Sequence, residues 1–165
     1  MSKVRTHAIR ALDEMGIPYR LVMHAHKAMN VEEAAAERGV PVRQVVKSLL
    51  VCQPAEPPRR SGDQQHVLAL VRGDQRLSLK KLARLVGVKT LEMAPPADVP
   101  RVTGYQIGAV APLGLRRDDV PIFVDAHVME EARVSISAGR HDAGLELATE
   151  ALIRAVGGQV ADITE

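Results

Sequence analysis

A chain of 165 residues, 46% of them hydrophobic, is long enough to bury one adequate core, and residues 1–165 read as one domain. Aromatic residues are nearly absent: Phe123, Tyr19 and Tyr105 are the whole set, which argues against single-stranded RNA recognition by rows of stacked bases. The net charge of +2 decides nothing, and Cys52, the single cysteine, excludes an intrachain disulfide and fits a reducing cytoplasm.

Lys3 to Met15 reads as a helix, with Val4, Ala8, Leu12 and Met15 at helical spacing and Gly16 as its stop. No apolar signal core follows the N-terminus and no stretch is long enough to span a membrane, so a cytoplasmic protein is expected. Ile17 to His24 reads as a strand that tolerates Pro18 at its start. Asn30 is a good N-cap for a second helix, with Glu33 placed for the reciprocal contact and Gly39 as the stop. Pro41 to Gln44 fits a short helical turn.

Val45 to Val51 follows as a buried strand. Alternation puts Val45, Lys47, Leu49 and Val51 on one face, and Lys47 is its only charge. A lysine among aliphatic neighbours is costly unless its ammonium reaches water, an anion or a ligand. Lys47 either marks a pocket that reads an electron-rich group, or snorkels to the rim and guards a sheet edge.

Gln53 to Gln65, rich in Pro, Arg, Ser and Gly, reads as a long exposed loop. His66 to Val71 would return as the partner of the Lys47 strand. Ser78 can cap a helix through Val86, with Leu79, Leu82, Ala83 and Val86 as its apolar stripe and Gly87 as its end. Lys80, Lys81 and Arg84 project from the other side. They belong to a basic stripe from Arg72 to Lys89 that is opposed by Asp74 alone, either a solvated face or a surface for a polyanion. Val88 to Met93 reads as a strand, and a short helix is expected near Pro96.

Thr103 to Gly114 is apolar but punctuated by Gly104, Gly108, Pro112 and Gly114, the pattern of close backbone approach or a pocket wall. Pro121–Asp125 and Arg133–Ser137 read as strands, Ala138 to Gly144 as a polar turn, and Thr149 as the cap of a last helix through Val156. Irregularly interleaved strands and helices with several hairpins predict an α+β fold with a mixed, largely antiparallel sheet.

Tyr19 and His24 on the first strand, Lys47 on the next, Ser137 at a strand end and the glycine-rich stretch could line one pocket. Familiar templates are missing: there is no G-x-S-x-G elbow, P-loop or G-x-G-x-x-G fingerprint. His24 and His26 could share a strand face, with His66, His127 or His141 completing a metal set, but no carboxylate or cysteine spacing supports it, so no metal is expected. Cys52 has no identifiable base and reads as a core or strand-end thiol.

Four segments in order carry a resemblance: Val46–Val51, Leu79–Ala83 ahead of Gly87, Thr103–Gly114, and Val134–Gly139 before Gly144-Leu145-Glu146-Leu147. Together they resemble the YbaK-like family, freestanding relatives of the editing domain of bacterial prolyl-tRNA synthetases. The resemblance covers nearly the whole chain. It implies a partly barrel-like sheet with flanking helices, and hydrolysis of a wrongly attached amino acid from tRNA, commonly tRNA(Pro), without a cofactor.

By resemblance, Lys47 matches an essential lysine, Gly104 to Gly108 with Pro112 wraps the ester, Ser137 matches a serine before the glycine turn, and Tyr19 a tyrosine on the first strand. Taken with the residue reading, Lys47, Gly108 and Ser137 are the catalytic candidates, and Tyr19, His24, Thr103, Gly104, Tyr105, Pro112, Gly139 and Glu146 the substrate-binding ones. Lys80, Lys81 and Arg84 would meet the acceptor stem. Where many relatives carry a Ser-Gly-Gly turn and a later aspartate, this chain has Ser137-Ala138-Gly139, a longer turn and Glu146. The amino acid removed stays open among Cys, Ala, Ser and Thr, as do a prolyl-tRNA synthetase partner and the oligomeric state. A non-catalytic module that binds tRNA or a synthetase is the rival reading, and a small-molecule binder without an RNA role is a third.

Overall fold

Helix α1 (His7–Met15) begins where the Thr6 hydroxyl accepts from the Ile9 amide at 3.2 Å, and ends at Gly16 in the left-handed region. The computed structural model describes residues 4–55 and 64–165, so Lys3 of the expected helix lies outside the described residues. Strand β1 (Arg20–Met23) is shorter than the run from Ile17 suggested. Helix α2 (Val31–Arg38) is capped by Asn30, whose side-chain oxygen accepts from the Glu33 amide at 2.8 Å. Glu33 answers to the Met29 amide at 3.1 Å, one residue outside the expected reciprocal pair. A 3-10 turn (Val42–Gln44) leads to β2 (Val46–Cys52).

Strands β2 and β3 (His66–Arg72) form the expected antiparallel pair, with Lys47 opposite Val71. The pairing continues to the ends of the intervening loop, where the Gln53 amide donates to the Gln65 carbonyl at 3.0 Å. Most of that loop, residues 56–63, lies outside the described residues. Helix α3 (Leu79–Val86) is capped by the Ser78 hydroxyl, which accepts from the Lys81 amide at 3.2 Å, and closes at Gly87.

Only Glu92–Met93 of the expected 88–93 strand is paired, as β4 against Val51 and Cys52. Val88 and Leu91 lie outside any strand and pack into an apolar cluster that includes Val51, Leu82 and Phe123. Helix α4 (Asp98–Thr103) and β5 (Ile122–Asp125) fall where expected.

The polar turn expected from Ala138 to Gly144 is far tighter. Strand β6 (Arg133–Arg140) runs on through it with an irregularity between Ser137 and Arg140, and β7 begins at Ala143 (Ala143–Ala148). Gly139, at φ 96°, makes this bend feasible, and a Cβ there would lie 2.7 Å from the Tyr105 ring. Helix α5 (Thr149–Val156) has no side-chain cap; the Thr149 hydroxyl donates instead to the Glu131 carbonyl. Strand β8 (Gln159–Ala161) carries no apolar alternation and went unanticipated.

The strands divide into two sheets, β1-β7-β6 and β4-β2-β3-β5-β8, mixed because β3–β5 and β5–β8 are parallel. Neither closes fully into a barrel, and the mixed sheets with flanking helices are the expected α+β architecture. One apolar cluster, including Leu68, Leu70, Ile136 and Leu145, joins the two sheets; a second, including Val51, Val71 and Leu82, lies beneath α3. A parallel main-chain bridge, Val45 to Ser135, also links the two sheets. Among the described residues no helix is long and apolar enough to cross a membrane.

Candidate active site

A cavity of about 360 Å³ opens at the seam between the sheets. Asn30, Val31, Ala34 and Arg38 of α2 form one wall, and Val46 to Leu50 of β2 another. Ile107, Gly108 and Val110 close it from the glycine-rich segment, with Ser137 of β6 beside them. Met29, Met93 and Ile107 are exposed at its rim. Among the described residues, two cations, Arg38 and Lys47, and no carboxylate line this space.

Local sequence explains each wall. Strand β4 reaches β2 only at Val51 and Cys52, and the bridge to β6 sits at Val45. Between them one edge of β2 runs along the cavity without a ladder. The Ala94 amide donates to the Leu50 carbonyl on that edge at 3.0 Å, so alternation aims the peptide groups of Ser48 the same way. The Ser48 hydroxyl is buried and has no partner among the described residues.

The glycine-rich segment is held by Tyr105, whose buried hydroxyl donates to the Leu113 carbonyl at 2.5 Å; burial pushes that phenol far above its usual range. Thr103 donates to the Val99 carbonyl at 2.6 Å and accepts from the Tyr105 amide at 3.0 Å. Gly108 then turns with φ at 82°, and a Cβ there would meet His141 Nε2 at 3.2 Å. That imidazole nitrogen donates to the Ile107 carbonyl at 2.8 Å and buttresses the turn.

The Lys47 ammonium donates to the Gln75 carbonyl at 2.6 Å. Desolvation lowers its pKa, with Glu32 and Asp74 opposing. Lys47 also borders a shallower depression shared with Gln75, Arg76 and Leu79, so the start of α3 lies beside it.

Of the residues expected from sequence, Lys47, Gly108 and Ser137 come together in the cavity. Gly104, Tyr105 and Gly139 share a separate, open depression with His141. Tyr19 stands apart, donating to Asp13 at 2.8 Å. Pro112 is buried, and Thr103 and Tyr105 shape the loop. Glu146 is clamped by Arg20 at 2.7 Å and Arg133 at 3.0 Å, which hold its carboxyl below the usual range. His24 does not line the cavity but accepts, through Nε2, from Arg38 Nε at 3.1 Å. Lys80 and Arg84 are exposed on α3, whereas Lys81 is tied to Asp162 at 3.0 Å and to the Thr164 carbonyl at 2.7 Å.

Arg38 and Ser48 were missed. The E-R-G end of α2 looks like a helix terminus with a basic last turn, and nothing in it says that the guanidinium folds inward.

The histidines form no common metal set around His24 and His26 among the described residues. The ligand atoms of Cys52, His66 and Asp98 instead lie within 4.8 Å of one another at the far end of β2. His66 Nε2 is 2.8 Å from Asp98, which also pairs with Arg101 at 2.9 Å. Burial and the nearby Asp98 push the Cys52 thiol up, so it stays protonated.

Comparisons with known proteins agree with this architecture. The profile of the family described as "Aminoacyl-tRNA editing domain" matches residues 25–155. A protein of Enterococcus faecalis, EbsC, named as a proposed Cys-tRNA(Pro)/Cys-tRNA(Cys) deacylase, is 29% identical over 162 residues, covering 97% of this chain and 93% of that protein. A proline–tRNA ligase of Nitratidesulfovibrio vulgaris is 36% identical over 118 residues, which are 72% of this chain but only 19% of the ligase. The crystal structure of a proposed trans-editing enzyme for prolyl tRNA synthetase superposes with a TM-score of 0.83 at 30% identity, covering 99% of each chain. With the matched profile reaching from the segment before α2 to the end of α5, the chain belongs to the aminoacyl-tRNA editing domain family.

Proposed function

We propose that residues 1–165 act as one editing domain, a deacylase that works in trans on misacylated tRNA in the cytoplasm. Cys-tRNA(Pro) or another misacylated tRNA(Pro) is the substrate. One observation carries the reading: Lys47, Gly108 and Ser137, from three distant parts of the chain, line a single cationic cavity. The relatives named for tRNA(Pro) editing support the choice of tRNA.

In this reading water attacks the carbonyl carbon of the aminoacyl ester. The oxyanion forms against the amide of Gly108, which has no side chain of its own and turns with positive φ; one such donor is typically worth ~3 kcal/mol of barrier. The intermediate collapses, the acyl C–O bond breaks, and the ribose oxygen takes the proton. With cysteine as the acyl group, its own thiol can replace water by proximity. Lys47 stabilises developing charge at the ester or the adjoining phosphate, and Ser137 hydrogen-bonds the acyl group. Lys80 and Arg84 lie on the helix that starts beside Lys47 and serve the acceptor stem through sequence-blind phosphate contacts.

The test is a panel of tRNA(Pro) charged with Pro, Cys, Ala, Ser or Thr, incubated with wild type and Lys47→Ala. Loss of one non-cognate ester with wild type and its persistence with the variant supports the reading. Every ester persisting with wild type, together with tRNA binding, establishes the non-catalytic module instead.

A further inference from the structure

We infer that Arg38 is the core of an anion subsite in the cavity wall, built to take an anionic oxygen group of the substrate.

The guanidinium is largely withdrawn from water, and desolvation alone lowers its pKa, to about 10. Among the described residues its two hydrogen-bond partners are both neutral. Nε donates to His24 Nε2 at 3.1 Å, and one terminal nitrogen donates to the Ser135 hydroxyl at 3.2 Å. Those bonds use two of the five N–H donors a guanidinium carries. Burying a charge without a counter-charge is expensive, and the cost is recovered when an anion arrives.

Nearby acids are already engaged. Glu37, next in sequence, accepts from the His26 amide at 2.9 Å and faces its ring. Asp142 is held by Arg140 at 2.8 Å, and Glu146 by Arg20 and Arg133.

The surroundings hold the fork in place. His24 Nδ1 faces the His141 carbonyl at 3.1 Å and donates to it, which leaves Nε2 as the acceptor Arg38 needs. Gly144 supplies the bed, because a Cβ there would fall 2.3 Å from Arg38 Nε. Planar, two-point donation of this kind matches a carboxylate or phosphate edge.

The same chemistry has two sources in an aminoacyl-tRNA: the phosphodiester at its 3′ end, or a carboxylate on the acyl group. Naming the ligand as part of the substrate rests on the deacylase reading; the subsite itself does not.

The experiment follows the Arg38 Nε–H resonance of the full-length, 15N-labelled protein. It is titrated with inorganic phosphate, and separately with acetate, against chloride at matched ionic strength. A saturable shift with either anion but not with chloride is expected. Affinity should fall at least tenfold in Arg38→Gln and be unchanged in Arg154→Gln, an exposed position on α5. Preference for phosphate identifies the phosphodiester, and preference for acetate identifies an acyl carboxylate. No saturable shift of this resonance overturns the subsite, as does a folded Arg38→Gln that binds like wild type. The wild-type resonance reports on the site even where the variant fails to fold. Anion binding at Arg38 in a protein that never deacylates tRNA would sink the enzymatic reading and leave the subsite standing; an active protein without it does the reverse.

Discussion

Arg38 lies directly on Gly144, across the sheet β1-β7-β6, so closely that a methyl group on Gly144 would sit 2.3 Å from Nε and 2.6 Å from Cδ. What would have to move is the far end of a flexible side chain. Gly144→Ala should therefore fold, lose about 1–3 kcal/mol as the bonds to His24 and Ser135 break, and lose phosphate binding at Arg38. Urea denaturation and the anion titration check the two effects separately; full anion affinity in the variant would show that Arg38 does not depend on this bed.

Lys47 is half-buried and spends one bond on the Gln75 carbonyl. Lys47→Ala should cost under about 1 kcal/mol of stability and reduce deacylation by ~10²-fold or more, the scale of a lost charge-stabilising donor. Lys47→Arg should not restore the rate, because a planar fork cannot replace a compact ammonium in this space. Single-turnover deacylation measures both, and a fully active Lys47→Ala removes the residue from the chemistry.

The basic face of α3 is not one surface. Lys80 and Arg84 are exposed, while Lys81 fastens the helix to Asp162 and the Thr164 carbonyl. Lys80→Glu with Arg84→Glu should weaken tRNA binding and flatten its log–log salt dependence by roughly 0.7–0.9 for each phosphate no longer neutralised, with little change in melting temperature. Lys81→Ala should act mainly on stability, by about 1 kcal/mol. Filter binding at several salt concentrations and thermal melts separate the two; equal salt slopes for wild type and the double variant would take α3 off the RNA.

His24 is held neutral. Desolvation lowers its pKa below the usual 6.5, Arg38 lowers it further, and the His141 carbonyl, Glu37 and Asp142 oppose. Between that lowered value and 6.5 the unfolded chain binds more protons than the folded one. Stability should therefore fall as pH drops from about 6.5 towards the folded-state pKa, then cease to depend on this group. His24→Phe should lose this part of the pH dependence. Urea midpoints from about pH 7.5 to 5 in both proteins provide the check, and identical slopes would mean that His24 does not report on Arg38.

Much of this architecture was legible locally. Thr103 to Gly114 announced a close-packed wall through its glycines, Asn30 and Ser78 announced their helices, and Lys47 stood out because one charge on an aliphatic face needs a reason. Other features are tertiary. Whether a basic residue in a last helical turn points to solvent or folds inward, as Arg38 does, depends on the bare Gly144, far along the chain. Glu146 could be placed on its strand but not in its clamp, since Arg20 approaches from another strand. Strand β8 owes its existence to the parallel partner β5 rather than to any pattern of its own.

The unladdered stretch of β2 beside Ser48 has a consequence for how this protein can be dissected. Main-chain donors and acceptors displayed there survive every side-chain replacement, so alanine scanning leaves their share of binding in the proposed site untouched. Only an amide-to-ester swap at position 48 or 49, introduced by chemical synthesis, can delete that contribution.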